Sequence, residues 1–417
     1  MNMRVRFMCV AIWILLWALV WGATRFVEFQ SFSHTVAERK ILLDSAHDFK
    51  ILQFADLHFG ENNTDDGYTL DFMDYMLSKE KPDFVIFSGD QISGFAAVSE
   101  ERRKFLWHQI LNVVAQVNVS FATIFGNHDD QPYRLDPLKL NHFANMAMLS
   151  ALLGLAAKGR HLKLTVNFSL FLLPPLLLIL LLTSPRRSVR QRILEYERQR
   201  FPNLSYTGQG PPGVHGTSNY RVLLQSPGAS AALYFLDSGG GWIPEGLHPD
   251  QLAWLERLAT DPAETEPRPP SLAFVHIPPQ AFAGAYSGPA AAGGGCDGGP
   301  PREPTSASPG SGPLLAALRR AGARAVFAGH DHGNAWCCRR AGVLLCYGRH
   351  SGYGGYDFDP DGGRGGRTRG ARVIALRLGG PSGMAVETRI AEYNAERSRA
   401  DSEGVDSDPA RREPILR

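Results

Sequence analysis

Three short apolar runs, at 50–54, 83–88 and 121–125, each break off into polar residues. The first leads into Ala55-Asp56-Leu57-His58, the second into Gly89-Asp90-Gln91 and the third into Gly126-Asn127-His128-Asp129. Between the runs, apolar positions recur at helical spacing: Leu70, Met73 and Leu77, then Leu106, Ile110, Val113 and Val117. Strand, helix, strand, helix, strand predicts a parallel sheet with polar side chains gathered at the carboxyl ends of the strands, where α/β sheets carry chemistry. The pattern continues with strands at 220–225 and 231–236 and a helix at 250–259 whose Leu252, Leu255 and Leu258 share a side. Another strand, at 271–276, ends on His276, and one at 323–328 runs into Gly329-His330-Asp331-His332. Two segments fall outside this scaffold. Residues 281–313, rich in Gly, Pro, Ala and Ser, are read as a flexible surface loop, and 396–417 as a disordered tail.

The ends and the cysteines speak to location. Residues 7–22 are uninterruptedly apolar, preceded by Arg4 and Arg6 and followed by Arg25, so residues 1–25 read as a secretory signal peptide or an N-terminal membrane anchor. Either places the remainder, a domain spanning about 40–395, in the secretory pathway on the lumenal or extracellular side, held to the membrane if the segment stays uncleaved. Asn62, Asn118, Asn167 and Asn203 head glycosylation tripeptides. Apart from Cys9 in the apolar run, Cys296, Cys337, Cys338 and Cys346 remain, and adjacent Cys337 and Cys338 lack the two-residue gap of a zinc knuckle. Disulfides are therefore expected. A hairpin turn near 339–342 favours Cys338 with Cys346, leaving Cys296 for Cys337.

A second apolar run, 164–182, is long enough to cross a bilayer, yet candidate site residues lie on both sides of it in sequence, and Pro174-Pro175 sits at its centre. It is expected not to span, and is read as part of an apolar insertion at about 135–190. With 43 Lys plus Arg against 41 Asp plus Glu, the formal charge of +2 gives no electrostatic reason to expect a nucleic-acid partner.

Collected from the strand ends, the candidate chemistry is Asp56, His58, Asp90, Asn127, His128, His276, His330 and His332. A lone Asp after a strand is an ordinary turn former and a lone His an ordinary hydrogen-bonding group. Five strand ends finishing in carboxylate, amide or imidazole are hard to obtain from turn chemistry alone. These blocks, in this order, resemble the calcineurin-like metallophosphoesterases. Leu236-Asp237-Ser238-Gly239-Gly240-Gly241, Trp336-Cys337-Cys338 and His350-Ser351-Gly352-Tyr353-Gly354-Gly355-Tyr356 look like the branch called purple acid phosphatase-like.

The resemblance implies a four-layer α/β/β/α sandwich with two metals between the sheets. It implies that Asp56, His58 and His332 hold one metal, that Asn127, His276 and His330 hold the other, and that Asp90 bridges them. It gives His128 the substrate side, with Asp129 orienting its imidazole. The mixed nitrogen and oxygen set suits Fe, Mn or Zn and disfavours Ca. The implied activity is a two-metal phosphoesterase acting on a phosphorylated substrate through in-line attack by a hydroxide that the metals generate, foremost a phosphomonoesterase. A phosphodiesterase, or a catalytically silent metal-containing lumenal protein, are the alternatives. Substrate identity and oligomeric state stay open. True purple acid phosphatases carry Gly and Tyr where this chain has His58 and Ser93, so no purple chromophore is expected; Tyr68 or Tyr133 could still approach the site. Asp237, Ser238, His350 and Tyr353, with Tyr356 beside them, are candidates for a substrate rim. Asp357, Asp359 and Asp361 read as a solvated loop.

Overall fold

The computed structural model describes residues 39–43, 48–131, 188–260, 269–286, 295–356, 368–379 and 383–394. The signal or anchor segment, both apolar runs, Cys9, Tyr133, Asn167, the three aspartates at 357–361 and the tail lie outside them. Among the described residues, no helix is long and apolar enough to cross a membrane.

Strands β2 (Phe49–Phe54), β3 (Phe84–Ser88) and β4 (Ser120–Ile124) pair in parallel, so their polar tails emerge at one edge. They are joined by α1 (Asn63–Glu80) and α2 (Glu100–Gln116). Each helix begins where a side chain replaces the missing backbone acceptors: Asn62 accepts from the Asp65 N–H at 2.8 Å, and Ser99 from that of Arg102 at 3.0 Å. A third helix, α3 (Val189–Arg200), starts with a reciprocal capping box between Ser188 and Gln191. This helix lies at the end of the stretch read as an apolar insertion, whose residues 135–187 fall outside the described residues, and Arg190 is wholly buried.

The second half supplies β5 (Tyr220–Ser226), β6 (Ala229–Leu236), β7 (Ser271–Val275), β8 (Cys296–Asp297), β9 (Ala323–Ala328), β10 (Cys337–Arg340) and β11 (Val343–Tyr347), and β1 (Arg39–Leu42), which precedes β2 in the chain, joins them. These form an eight-stranded sheet in the order β1-β5-β6-β7-β9-β11-β10-β8. The β6, β7, β9 and β11 strands are mutually parallel, so His276 and His330 emerge at a common edge. The other sheet is completed by β12 (Arg369–Leu378) and β13 (Met384–Tyr393), giving the order β13-β12-β2-β3-β4. Sequence reading missed both of these antiparallel strands, which make the expected parallel sheet a mixed one.

Period-two alternation explains the stacking. In β2, Ile51 turns to the other sheet, meeting Leu224, Phe235 and Phe274, while Leu52 and Phe54 turn to α1 and α2. On the far side, Tyr234, Leu236 and Val275 pack on α4 (Pro249–Thr260) and α5 (Leu314–Arg320). Tyr220, Phe235, Phe274 and Phe327 stack ring on ring across four strands, with centroids 4.4, 5.4 and 5.2 Å apart. The layering is the expected α/β/β/α.

Two disulfides lock the far edge, with partners exchanged relative to expectation: Cys296–Cys338 and Cys337–Cys346. Neighbouring residues on a strand face opposite sides, and β10 lies between β8 and β11, so Cys337 meets Cys346 on one neighbour while Cys338 meets Cys296 on the other. The segment read as a flexible loop is correspondingly pinned over 295–313: Cys296 lies in β8, and Ser308 and Ser311 are buried.

Candidate metal centre

The strand ends of the two sheets face one another. Residues 348–355 tie them together: Ala55 bridges to His350, the Ala55 N–H donates to Ser351 Oγ at 3.2 Å, and the Gly352 N–H donates to Asp56 O at 3.2 Å. Asp56, His58, Asp90 and His330 all adopt positive φ, at 57°, 46°, 53° and 75°. For non-glycine residues such conformations cost about 1–3 kcal/mol each and persist where the surroundings enforce them. Four of the seven such residues described are thus candidate ligands. Gly89, at φ 101°, permits the approach of the strands, because a Cβ there would lie 2.3 Å from the His276 ring.

Two clusters result: Asp56, His58 and His332 in one, and Asp90, His276 and His330 in the other, each with ligand atoms within 4.8 Å of one another. Their hydrogen bonds show what they are built for. His58 Nδ1–H donates to Ser93 Oγ at 3.0 Å, because that hydroxyl gives its own proton to Glu61 at 2.5 Å. His332 Nδ1–H donates to Tyr356 O at 2.8 Å. Both Nε2 lone pairs are thereby left facing inward, only 3.1 Å apart. In the other cluster, His276 Nδ1–H donates to Ser88 O at 3.0 Å, leaving Nε2 3.0 Å from Asn127 Oδ1 and 3.1 Å from Asp90 Oδ2. Acceptors converging this closely in a buried place call for cations between them, and imidazole nitrogen with carboxylate and amide oxygen is the donor set of a transition metal. The residues therefore fit two metal ions.

Asp90 sits between the clusters. Its Oδ2 lies 3.1 Å from His276 Nε2, 3.7 Å from His58 Nε2 and 4.0 Å from His128 Nε2, while Oδ1 accepts the His128 backbone N–H at 2.7 Å. Protonation follows from this packing. Burial disfavours the charged form of Asp56 and pushes its carboxyl up to about 8. It holds His58 at about 4 and His330 at about 3, and His332 well below the usual imidazole range. Burial also works against charge on His276, but Asp90 outweighs it and raises that imidazole to about 9. The reciprocal attraction takes Asp90 well below the carboxylate range despite its burial.

His128 reaches the centre from its open side, with a side chain 30% exposed. Its expected partner, Asp129, faces elsewhere: its oxygens accept backbone N–H bonds from Asp90, Ile92 and Gly126 at 3.1, 3.1 and 2.7 Å, fixing the Asp90 turn. The imidazole is oriented instead by Gln131, whose Oε1 lies 2.9 Å from His128 Nδ1, and Arg103 holds the Gln131 carbonyl at 3.0 Å.

Four of the residues expected at a substrate rim, Asp237, Ser238, His350 and Tyr353, are buried. Asp237 is buried in an ion pair with Arg190 at 2.5 Å, and Ser238 Oγ accepts the Ile277 N–H at 3.0 Å. His350 is buried behind the site, its ring 3.9 Å from that of His332, and Tyr353 is buried against Tyr68 and Arg369. Only Tyr356 stands at the surface: it is 49% exposed, stacked on His332 at 3.9 Å, and its hydroxyl donates to Glu303 at 3.1 Å. Ser93, Glu61, Gln131, Arg103 and Glu303 were missed. Ser93 alone had left a signal, as a position at which the sequence departs from the family pattern it resembles.

The family model for calcineurin-like phosphoesterases matches residues 49–173, which hold the ligand candidates from Asp56 to Asn127. "Probable inactive purple acid phosphatase 29" of Arabidopsis thaliana is 26% identical over 382 residues, covering 82% of this chain and 80% of that relative. "Probable inactive purple acid phosphatase 28" of the same plant is 27% identical over 368 residues, covering 79% and 76%. Among solved structures, a dimetal phosphatase from Danio rerio matches with a TM-score of 0.42 at 13% identity, covering 83% of this chain and 99% of that one. Residues 49–173 thus match the calcineurin-like phosphoesterase family, and over most of its length the chain is similar to purple acid phosphatase-like proteins.

Proposed function

We propose that this protein is a two-metal phosphoesterase of the secretory pathway, and most specifically a phosphomonoesterase using Fe, Mn or Zn. The observation that carries the reading is the approach of an imidazole nitrogen from each cluster to the one oxygen Asp90 Oδ2, His58 Nε2 at 3.7 Å and His276 Nε2 at 3.1 Å. Asp56, His58 and His332 would hold one ion and Asn127, His276 and His330 the other, with Asp90 shared. Two bound cations would offset charge on the phosphoryl oxygens and lower the pKa of water enough for attack near neutral pH. Asp129 keeps the Asp90 turn rigid, so the shared carboxylate needs no reorganisation. His128 gives its Nδ1–H to Gln131 and turns Nε2 toward the site, where the protonated ring would donate to a phosphoryl oxygen or to the leaving group. The two disulfides suit an oxidising compartment.

The names of the two plant relatives favour a second reading, a domain that keeps its metals and turns nothing over. Assay of the metal-loaded protein on an aryl phosphate monoester and the matching diester separates the two. Hydrolysis is expected, faster on the monoester, and His128→Ala should lower it by about 10²–10⁴-fold with metal content retained. Two metals per chain with neither ester cleaved would establish the silent reading.

A further inference from the structure

Away from the metal clusters, a cavity of about 600 Å³ opens beside β10, β12 and β13, and five arginines line it: Arg302, Arg339, Arg349, Arg372 and Arg389. Two carboxylates share the lining, Asp297 and Glu392. Arg389 is paired with Glu80 at 2.5 Å, and Arg349 Nε faces Glu392 at 3.8 Å. Arg302 and Arg339 are exposed and have no ion-pair partner among the described residues. Arg372 is the anomaly. It is 2% exposed, yet its guanidinium meets only neutral acceptors: Tyr347 O at 2.6 Å, Thr388 Oγ1 at 3.1 Å and Ala335 O at 2.6 Å. Elsewhere this fold treats a buried arginine differently, since Arg190 is flanked by Asp130 at 3.0 Å and Asp237 at 2.5 Å. Burial without a counter-charge takes Arg372 down to about 9, whereas the two aspartates hold Arg190 above its ordinary value against burial. A buried cation lacking an anion is costly, and a supplied anion relieves that cost.

We propose that this cavity is a binding site for a tetrahedral oxyanion, phosphate free or carried on an ester, seated on Arg372 and enclosed by Arg302 and Arg339. Guanidinium groups present paired donors that match phosphate oxygens, and several of them converging here give both charge and geometry. None of the seven ligand candidates lines the cavity, but Gly333 and Ala335 do, and Arg349 donates to His332 O at 3.5 Å. The site thus backs onto the segment that carries His332.

Calorimetric titration of the metal-loaded full chain with inorganic phosphate, and of its hydrolysis-deficient Asp90→Asn variant with phosphoserine, tests this. Two binding events are expected. Asp90→Asn should remove the one at the metals. Arg372→Met, and independently the surface pair Arg302→Ser with Arg339→Ser, should weaken the other by roughly tenfold or more. Equal affinities for the two probes would identify free phosphate as the ligand, and tighter phosphoserine binding would identify an ester. A single event abolished by Asp90→Asn, or a second event indifferent to both sets of arginine substitutions, would overturn the proposal while leaving the phosphoesterase reading intact.

Discussion

The two ligand clusters use the same residue types but are held in different ways. Around His276 the support is backbone and core: Ser88 O fixes the ring, Gly89 lies against it, and the imidazole is fully buried. Around His58 and His332 the support comes from loops: a Ser93 hydroxyl backed by Glu61 on one side, and the half-exposed Tyr356 with Glu303 on the other. A ligand fixed by the strand scaffold can be displaced only with the sheet, whereas one fixed by a side-chain relay depends on each member of that relay. The first cluster should therefore be the sturdier half, and the second the half open to adjustment.

The largest effect should come from erasing the distinction. Asp90→Asn weakens the carboxylate whose Oδ2 lies 3.7 Å from His58 Nε2 and 3.1 Å from His276 Nε2, so metal content should fall at both together and ester hydrolysis by roughly 10³-fold, on the scale of several kcal/mol of lost charge stabilisation. Loss of one metal with the other bound normally would break the idea of a shared bridge. Ser93→Ala should instead separate the halves. Removing the acceptor of His58 Nδ1 frees the ring, and metal affinity should drop about 10–100-fold at that cluster alone. Competition against a chelator would then show one weak and one unchanged site, and equal weakening of both would contradict the contrast.

A smaller effect concerns pH in chelated protein. Asp129, Asp56 and His276 stand raised in the fold, to about 7, 8 and 9, from 3.8, 3.8 and 6.5. Each contributes stability below its unfolded value that is lost as pH climbs through the folded value. His58 and His330, lowered to about 4 and 3, favour the fold above 6.5 and change nothing further beyond it. Between pH 6.5 and 9 the raised groups alone operate, so the melting temperature of the metal-free protein should decline over that window. Metal-loaded protein should not show this decline, because the ions bind the deprotonated forms. A melting temperature that rises across the window without metal would show that these groups are not buried together as described.

The candidate ligands were legible because each is a chemically distinctive side chain placed where an apolar run stops, and runs stop where strands do. Their supports were not. Ser88 O and Tyr356 O act through backbone carbonyls, which no residue letter marks, and Ser93 and Glu61 are common surface residue types. Asp129 looked like the partner of His128 because it is adjacent in sequence, but the tight turn after β4 points it inward and brings Gln131 round instead. The rim residues failed for a related reason: a conspicuous motif such as Asp237-Ser238 was serving the core, where Arg190 needs a counter-charge. The disulfide partners required β8, a two-residue strand inside a Gly- and Pro-rich stretch that carries no strand pattern of its own.

Whether strand ends of both sheets hold one paired metal centre is decided by elemental analysis of the purified full chain, expressed with Mn, Fe and Zn available. Two transition-metal ions per chain are expected. A content near zero, or a single ion unaffected by Asp90→Asn, would contradict the paired centre.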